Sequence, residues 1–366
     1  MKANSRFQIT SKQLIFILIG TSIATGILSL PRVVSAEADQ DAWIAIILAT
    51  SVPMLSWLMI ERLGRRFPNL TIVEMASLLL GKFFGTIFSI GFIIYLILFE
   101  SVVLRLGSEI TSQFVLPQTP ISVISMLIII SVIYIAQKGA KVIGRLNELL
   151  FYFLLFDLLV LLFSLNLADS TNFFPVGGAG GGKIIKALLP TAYAYAGVEI
   201  LFVTYPMVTK KEEVLKAGFI ALGIIMIFYV TVTVISILVM GVEVIQYHIW
   251  PVLELAKVVD VPVVERLEFF FLVVWLGAVA RPVINHCFSA AFSLTQLLKL
   301  DVNKHYSLMV IAVGCLIYVI SLIPSNLVLV LKYATYVGYS FLIVAIAYPL
   351  LLHLVVILQK GRLKKS

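Results

Sequence analysis

The stretch Gly20-Thr21-Ser22-Ile23-Ala24-Thr25-Gly26-Ile27-Leu28-Ser29-Leu30-Pro31 decides how this chain folds. It lies inside the first apolar run, 12–33, where small and hydroxyl residues replace the bulky apolar ones a lipid-facing helix would carry. Glycine and proline at these spacings tolerate an interrupted helix. A second weak centre, Pro190-Thr191-Ala192-Tyr193-Ala194-Tyr195-Ala196-Gly197-Val198-Glu199, falls in the apolar run 185–208. Close helix packing alone would also use small residues, so the position of the second centre relative to the first carries weight.

The surrounding composition sets the environment. Of 366 residues, 61% are apolar and 13% charged, against about 45–50% and about 25% in soluble domains; the mean hydropathy is +1.08. No polar linker divides the chain, which reads as one membrane-embedded body, 1–366. A membrane helix needs about 20 mainly apolar residues. Ten runs qualify: 12–33, 42–61, 83–113, 120–137, 143–166, 185–208, 216–241, 264–297, 306–324 and 332–359. Nine spans beyond the first argue against a cleaved secretory signal at the N-terminus. The net charge of +8 comes from short basic runs between spans, which are membrane-edge charges with no nucleic-acid-binding motif behind them. With the N-terminus inside, alternating sides place 19 Lys and Arg in cytoplasmic segments and six outside. Basic residues gather on the cytoplasmic side, so ten helices with both termini cytoplasmic are expected.

Runs one and six start 173 residues apart, at 12 and 185, and runs two and seven 174 apart, at 42 and 216. The two weak centres are therefore in phase. Five spans is an odd number, so the second set, 185–359, enters the membrane from the side opposite to the first, 12–166. Inverted repeats of this kind place broken helices at matching positions of both halves, with the ligand at the midplane. Irregular backbone at that depth persists only against protein, water or a polar ligand. The expectation is an all-α polytopic membrane protein, a five-plus-five inverted repeat of LeuT-like type, with helices 1 and 6 broken. Half-helix amino ends there would suit a carboxylate.

Several features lead elsewhere and are set aside. Gly177-Gly178-Ala179-Gly180-Gly181-Gly182-Lys183 follows no strand and lacks the Gly-Lys-Ser/Thr ending of a phosphate loop, so it reads as a flexible connector. The segment 243–268, with Trp250-Pro251 and several acids, reads as an interfacial element with Trp250 at headgroup depth. Cys287 and Cys315 both fall in apolar stretches and offer no disulfide framework or metal motif. The four histidines have no ligand spacing, and no hydrolase or nucleotide motif occurs. No enzyme and no cofactor is expected.

Ionisable residues inside spans usually face a cavity or pair with one another. Arg105 and Glu109 stand i to i+4 and read as a structural ion pair. Glu100, Asp157, Glu199, Arg281 and His286 complete the set. Arg281 and Glu100 lie at similar depth in spans 8 and 3. Either they pair permanently, or Arg281 receives a ligand carboxylate with its planar fork. His286 is either a packing histidine or lines a wet cavity beside Pro282, whose ring frees a carbonyl one turn earlier. Glu199 could tie loose backbone of the two broken helices or touch the ligand directly.

The chain resembles the spore germination permeases, the B-type membrane subunits of endospore germinant receptors, which are similar to amino acid-polyamine-organocation transporters. Gly26-Ile27-Leu28-Ser29-Leu30-Pro31-Arg32, Gly197-Val198-Glu199, Ile249-Trp250-Pro251, Glu265-Arg266-Leu267-Glu268 and Val273-Val274-Trp275 carry the resemblance. It implies a subunit that binds a small nutrient such as an amino acid and acts with A-type and lipoprotein C-type subunits in the spore inner membrane. It also places ligand contacts at the second break, where Gly197 and Glu199 sit. The candidate ligand site gathers Ser22, Ile23, Thr25 and Gly26, then Phe99 and Glu100, then Tyr193, Ala196, Gly197 and Glu199, and finally Arg281, Pro282 and His286. Three readings stand: a nutrient sensor on a transporter scaffold, a secondary amino acid transporter coupled to H+ or Na+, or a scaffold that binds no nutrient.

Overall fold

The structure, a computed structural model, describes residues 5–258 and 267–359. Asp260, the Glu265-Arg266 pair and the basic tail from Lys360 lie outside them. Among the described residues the chain is helical, with no strand beyond one isolated bridge between Ile9 and Val208.

The helices in chain order are α1 (Ser11–Ser22), α2 (Gly26–Ala38), α3 (Ala42–Ala49), α4 (Ser51–Arg66), α5 (Ile72–Phe114), α6 (Ile121–Ala136), α7 (Ala140–Leu162), α8 (Gly181–Tyr193), α9 (Leu201–Thr204), α10 (Val214–Tyr247), α11 (Pro251–Val258), α12 (Leu267–Leu297), α13 (Val302–Ser321), α14 (Leu327–Leu342) and α15 (Tyr348–Leu358). By length and composition seven helices can cross a membrane, or eight when the bent pair around residues 194–197 is one span. The ten runs read from sequence exceed this because Gly26–Arg66 forms one continuous apolar stretch of 41 residues and α6 has only 16. Large apolar side chains such as Phe83, Leu127, Phe153 and Ile185 face outward, as lipid contact requires. This is a multi-pass membrane protein.

Both expected interruptions are present. The first span divides into α1 and α2 around Ile23-Ala24-Thr25, and Ile23 is extended at φ −86°, ψ 100°. The sixth divides after α8 and resumes at Val198 with a bend of 44°. Gly197 there adopts φ +133°, a region open to glycine and strained for other residues. The helix starts are specified locally. Thr10 and Gln13 close a capping box on α1, and Thr71 and Glu74 one on α5. Gly81 and Gly241, both at positive φ, kink α5 and α10 near the limits read for spans 3 and 7.

Long-range polar ties fix the arrangement. The Trp57 indole of α4 donates to Val214 O at 3.2 Å. Asn285 of α12 donates to Thr21 Oγ1 at 2.9 Å and accepts from Asn147 of α7 at 2.9 Å, which binds α1, α7 and α12 together. Ser11 donates to Glu213 at 2.5 Å. That bond, and Lys210 beside it, hold the Glu213 carboxyl below its ordinary range. The expected Arg105–Glu109 pair forms at 2.9 Å. The glycine-rich segment differs from the flexible connector expected of it. Buried Asp41 accepts from the N–H groups of Gly177 and Ala179 at 2.8 and 2.9 Å, and Lys183 pairs with Asp39 at 2.7 Å. A carboxylate from the turn between α2 and α3 thus holds the glycine-rich segment by two of its N–H groups. Trp250 likewise turns inward. It is buried, packs edge-on against Phe114 at 5.9 Å and lines a cavity, where headgroup contact was expected.

Candidate functional site

Chain interruption at both breaks leaves carbonyls without helical partners. Tyr229 of α10 meets one from each. Its hydroxyl lies 2.8 Å from Ser22 O and 2.7 Å from Ala194 O, with a single proton between them. Tyr195, against Tyr229 at 5.1 Å, reaches Thr50 at 2.7 Å. Tyr229 staples the two broken helices to each other and Tyr195 ties the second break to the junction of α3 and α4, roles that apolar patterning alone gives no sign of.

A small cavity of about 20 Å³ sits between the breaks. Ser22, Thr25 and Gly26 line it from the first, Tyr193 and Ala196 from the second, Phe99 from α5 and Pro282 from α12. Seven of the thirteen sequence-expected residues therefore converge on one space. Ser22 Oγ is buried with no partner. A cavity of this size holds about one water, with Phe99 and Tyr193 closing it ring to ring at 6.0 Å. Thr25, Gly26 and Tyr193 also border a much larger cavity of about 550 Å³, which runs along α2 past Arg32, Glu37, Lys186 and Trp250. Its size is that of ordinary small-molecule sites.

The ionisable residues are placed differently from expectation. Glu100 does not pair with Arg281. Its Oε1 lies 2.5 Å from His286 Nδ1, on the neighbouring helix α12. His286 Nε2 is 3.7 Å from Glu199 Oε1, which also accepts from the Tyr95 hydroxyl at 2.6 Å. The other Glu199 oxygen accepts from Gly197 N–H at 2.8 Å. Glu199 thus ties loose backbone of the second break to Tyr95 of α5, and no hydrogen bond among the described residues carries it to the first break, the tie expected of it. Glu100, Glu199 and His286 are fully buried and cluster behind the cavity, outside its lining, with Glu100 Oε2 and His286 Nε2 left without a hydrogen-bond partner. The close packing of α5 against α12 brings them together, a pairing no local spacing encodes. Phe99 meets the His286 ring edge-on at 5.9 Å and is the link between this cluster and the cavity.

Arg281 faces the other way. Its Nη2 donates to Ile23 O at 3.3 Å, and a Cβ on Gly20 would stand 3.2 Å from its Cδ. The glycine makes room first for the Asn147 amide, which an added Cβ would overlap, and beside it for the arginine stem. Ile23 serves the site through its carbonyl and does not line the cavity. Among the described residues no three His, Cys, Asp or Glu side chains form a metal-holding group.

Comparison with known proteins agrees with this architecture. The solved structure of MhsT in complex with L-phenylalanine superposes with a TM-score of 0.68 at 14% identity, covering 94% of this chain and 88% of that one. The substrate-bound outward-open state of a Na+-coupled sialic acid symporter superposes with a TM-score of 0.71 at 12% identity, covering 93% and 79%. The fold is thus that of LeuT-like transporters. Spore germination protein YndE of Bacillus subtilis (strain 168) is 29% identical over 323 residues, which is 87% of this chain and 88% of that protein. The family model described as "Spore germination protein" matches residues 8–328, so the chain, with its two broken helices and buried polar centre, belongs to the spore germination permease family.

Proposed function

We propose that this protein is the nutrient-sensing membrane subunit of a spore germination receptor and that it binds an amino acid-type nutrient between its two helix breaks. It acts by binding and conformational change, with no covalent chemistry and no cofactor. The observation that carries the reading is the convergence of Ser22, Thr25, Gly26, Phe99, Tyr193, Ala196 and Pro282 on one small cavity beside a vestibule large enough for such a ligand. The amino end of α2 opens on that cavity and favours a carboxylate. A nutrient enters from the vestibule by parting Tyr193 from Phe99, and it shifts populations only as far as it prefers the parted state. A-type and lipoprotein C-type subunits in the spore inner membrane then read that shift.

The test is germination of spores carrying this receptor on a panel of single amino acids, with Tyr193→Ala and Phe99→Ala beside the wild type. Altered nutrient preference at unchanged protein level supports the reading; responses to every nutrient unchanged from wild type in both variants refute it. The orientation, with both termini cytoplasmic, is tested by thiol labelling. Gly182→Cys should react with an impermeant reagent from outside and Lys210→Cys should not, and the reverse pattern overturns the topology.

Secondary transport is favoured by one observation, the Glu100–His286–Glu199 cluster directly behind Phe99, whose groups can exchange a proton. Uptake of labelled amino acid into proteoliposomes driven by a proton gradient would establish that reading, and binding without uptake would leave the sensor.

A further inference from the structure

Arg281 is fully buried, and its guanidinium stays ionised under all ordinary conditions. A residue placed to neutralise an acidic partner would meet it with the paired N–H groups of the fork. Arg281 does not. Asp157 of α7 is within electrostatic reach but beyond ion-pair contact, and both its oxygens are buried without a hydrogen-bond partner. Nε and Nη1 of Arg281 are likewise unpartnered. Among the described residues, the one hydrogen bond that the guanidinium makes goes to Ile23 O, the carbonyl at the carboxyl end of the first half-helix. Gly20 in the same half-helix leaves space that the arginine stem shares with the Asn147 amide.

Carbonyls released at broken helices are where inverted-repeat transporter folds hold a dissolved coupling cation. We infer that in this chain Arg281 is that cation, tethered to α12: its charge holds the carbonyl end of the first break, and no sodium ion is needed there. The consequence is a break that is permanently charged and that ties α1 to α12, the helix bearing Pro282 and His286. Arg281 is accordingly a positioning residue for the cavity. The inference concerns the break itself and does not depend on which nutrient, if any, the cavity takes.

The experiment uses the purified full chain in nanodiscs and follows thermal unfolding, with no nutrient present. The wild type should unfold at the same midpoint in sodium chloride and in choline chloride of equal ionic strength. Arg281→Ala should unfold several degrees lower, and millimolar guanidinium or sodium should return the midpoint toward wild type in a saturable way that the wild type does not show. A sodium-dependent midpoint in the wild type overturns the inference, as does an Arg281→Ala midpoint equal to wild type without added cation. Should Arg281→Ala fail to accumulate, Arg281→Lys and Arg281→Met decide, because both are unbranched and of similar reach and differ in charge. The lysine variant is expected to fold near the wild-type midpoint and the methionine variant well below it; equal behaviour of the two refutes the tethered cation.

Discussion

Gly26 and Gly197 occupy corresponding breaks, yet alanine at the two positions should have opposite consequences. At Gly197 the backbone stands at φ +133°, ψ −20°, and a Cβ would lie 2.8 Å from Ser22 Oγ and 3.0 Å from Thr21 Cβ. Strained backbone costs about 1–3 kcal/mol and overpacking of a tight core about 1–3 kcal/mol more. Gly197→Ala therefore loses roughly 2–6 kcal/mol of stability, enough to deplete the protein. At Gly26 no heavy atom lies within 4 Å of an added Cβ, and the residue begins α2 in helical conformation. Alanine in a helix gains up to about 1 kcal/mol over glycine, so folding should be unharmed. The new methyl instead projects into the cavity and its vestibule, both of which Gly26 lines. A clash there of about 1–3 kcal/mol corresponds to a roughly 5–150-fold weaker nutrient response. The assay is immunoblotting of dormant spores together with a nutrient dose response. Gly26→Ala should be abundant with its half-maximal concentration raised, and Gly197→Ala should be scarce. A Gly26→Ala protein that is abundant and responds normally would falsify the placement of the nutrient, and one that is scarce would show that this glycine serves helix packing.

Tyr229→Phe removes the proton shared by Ser22 O and Ala194 O and should cost about 1–3 kcal/mol, the penalty for leaving buried acceptors unmet; an unchanged thermal midpoint would show that the two breaks do not need this staple. His286→Leu leaves Glu100 buried without its partner and should destabilise by about 3–5 kcal/mol. Adding Glu100→Gln to that variant should restore part of the lost abundance, and strict additivity of the two changes would argue against the pair. The Glu213 carboxyl is held low by Ser11 and Lys210, so its contribution is fully present above the ordinary Glu value of 4.5 and is lost as the pH falls through the depressed folded value. Ser11→Ala should flatten this acid limb of the stability profile, and an acid limb identical to wild type would remove that tie.

The membrane environment, the helical class and both helix breaks follow from sequence alone, because each depends on local chemistry. Lipid admits only backbone that satisfies itself, so apolar length marks the helices, and runs such as Gly20–Gly26 and Ala194–Gly197 announce where the ladder stops. The phase between the two breaks then implies their meeting. Seven residues of the cavity were within reach of that reasoning, since each lies on or directly across from a break. The ionic partners were not. Glu100 and Arg281 share a depth along the membrane normal, and sequence cannot say that α12 turns His286 toward α5 and Arg281 toward α1. Arg281 and His286 stand five residues apart on α12, about 140° around the helix axis, and only the rotation of α12 against its neighbours decides which group each meets. Tyr229 stapling two carbonyls, and Asp41 gathering the glycine loop, are likewise contacts between segments more than a hundred residues apart or held by backbone groups. Periodicity records which face of a helix is apolar; which atom stands opposite a given polar group is fixed by packing, through distances of a few ångström that no single segment contains.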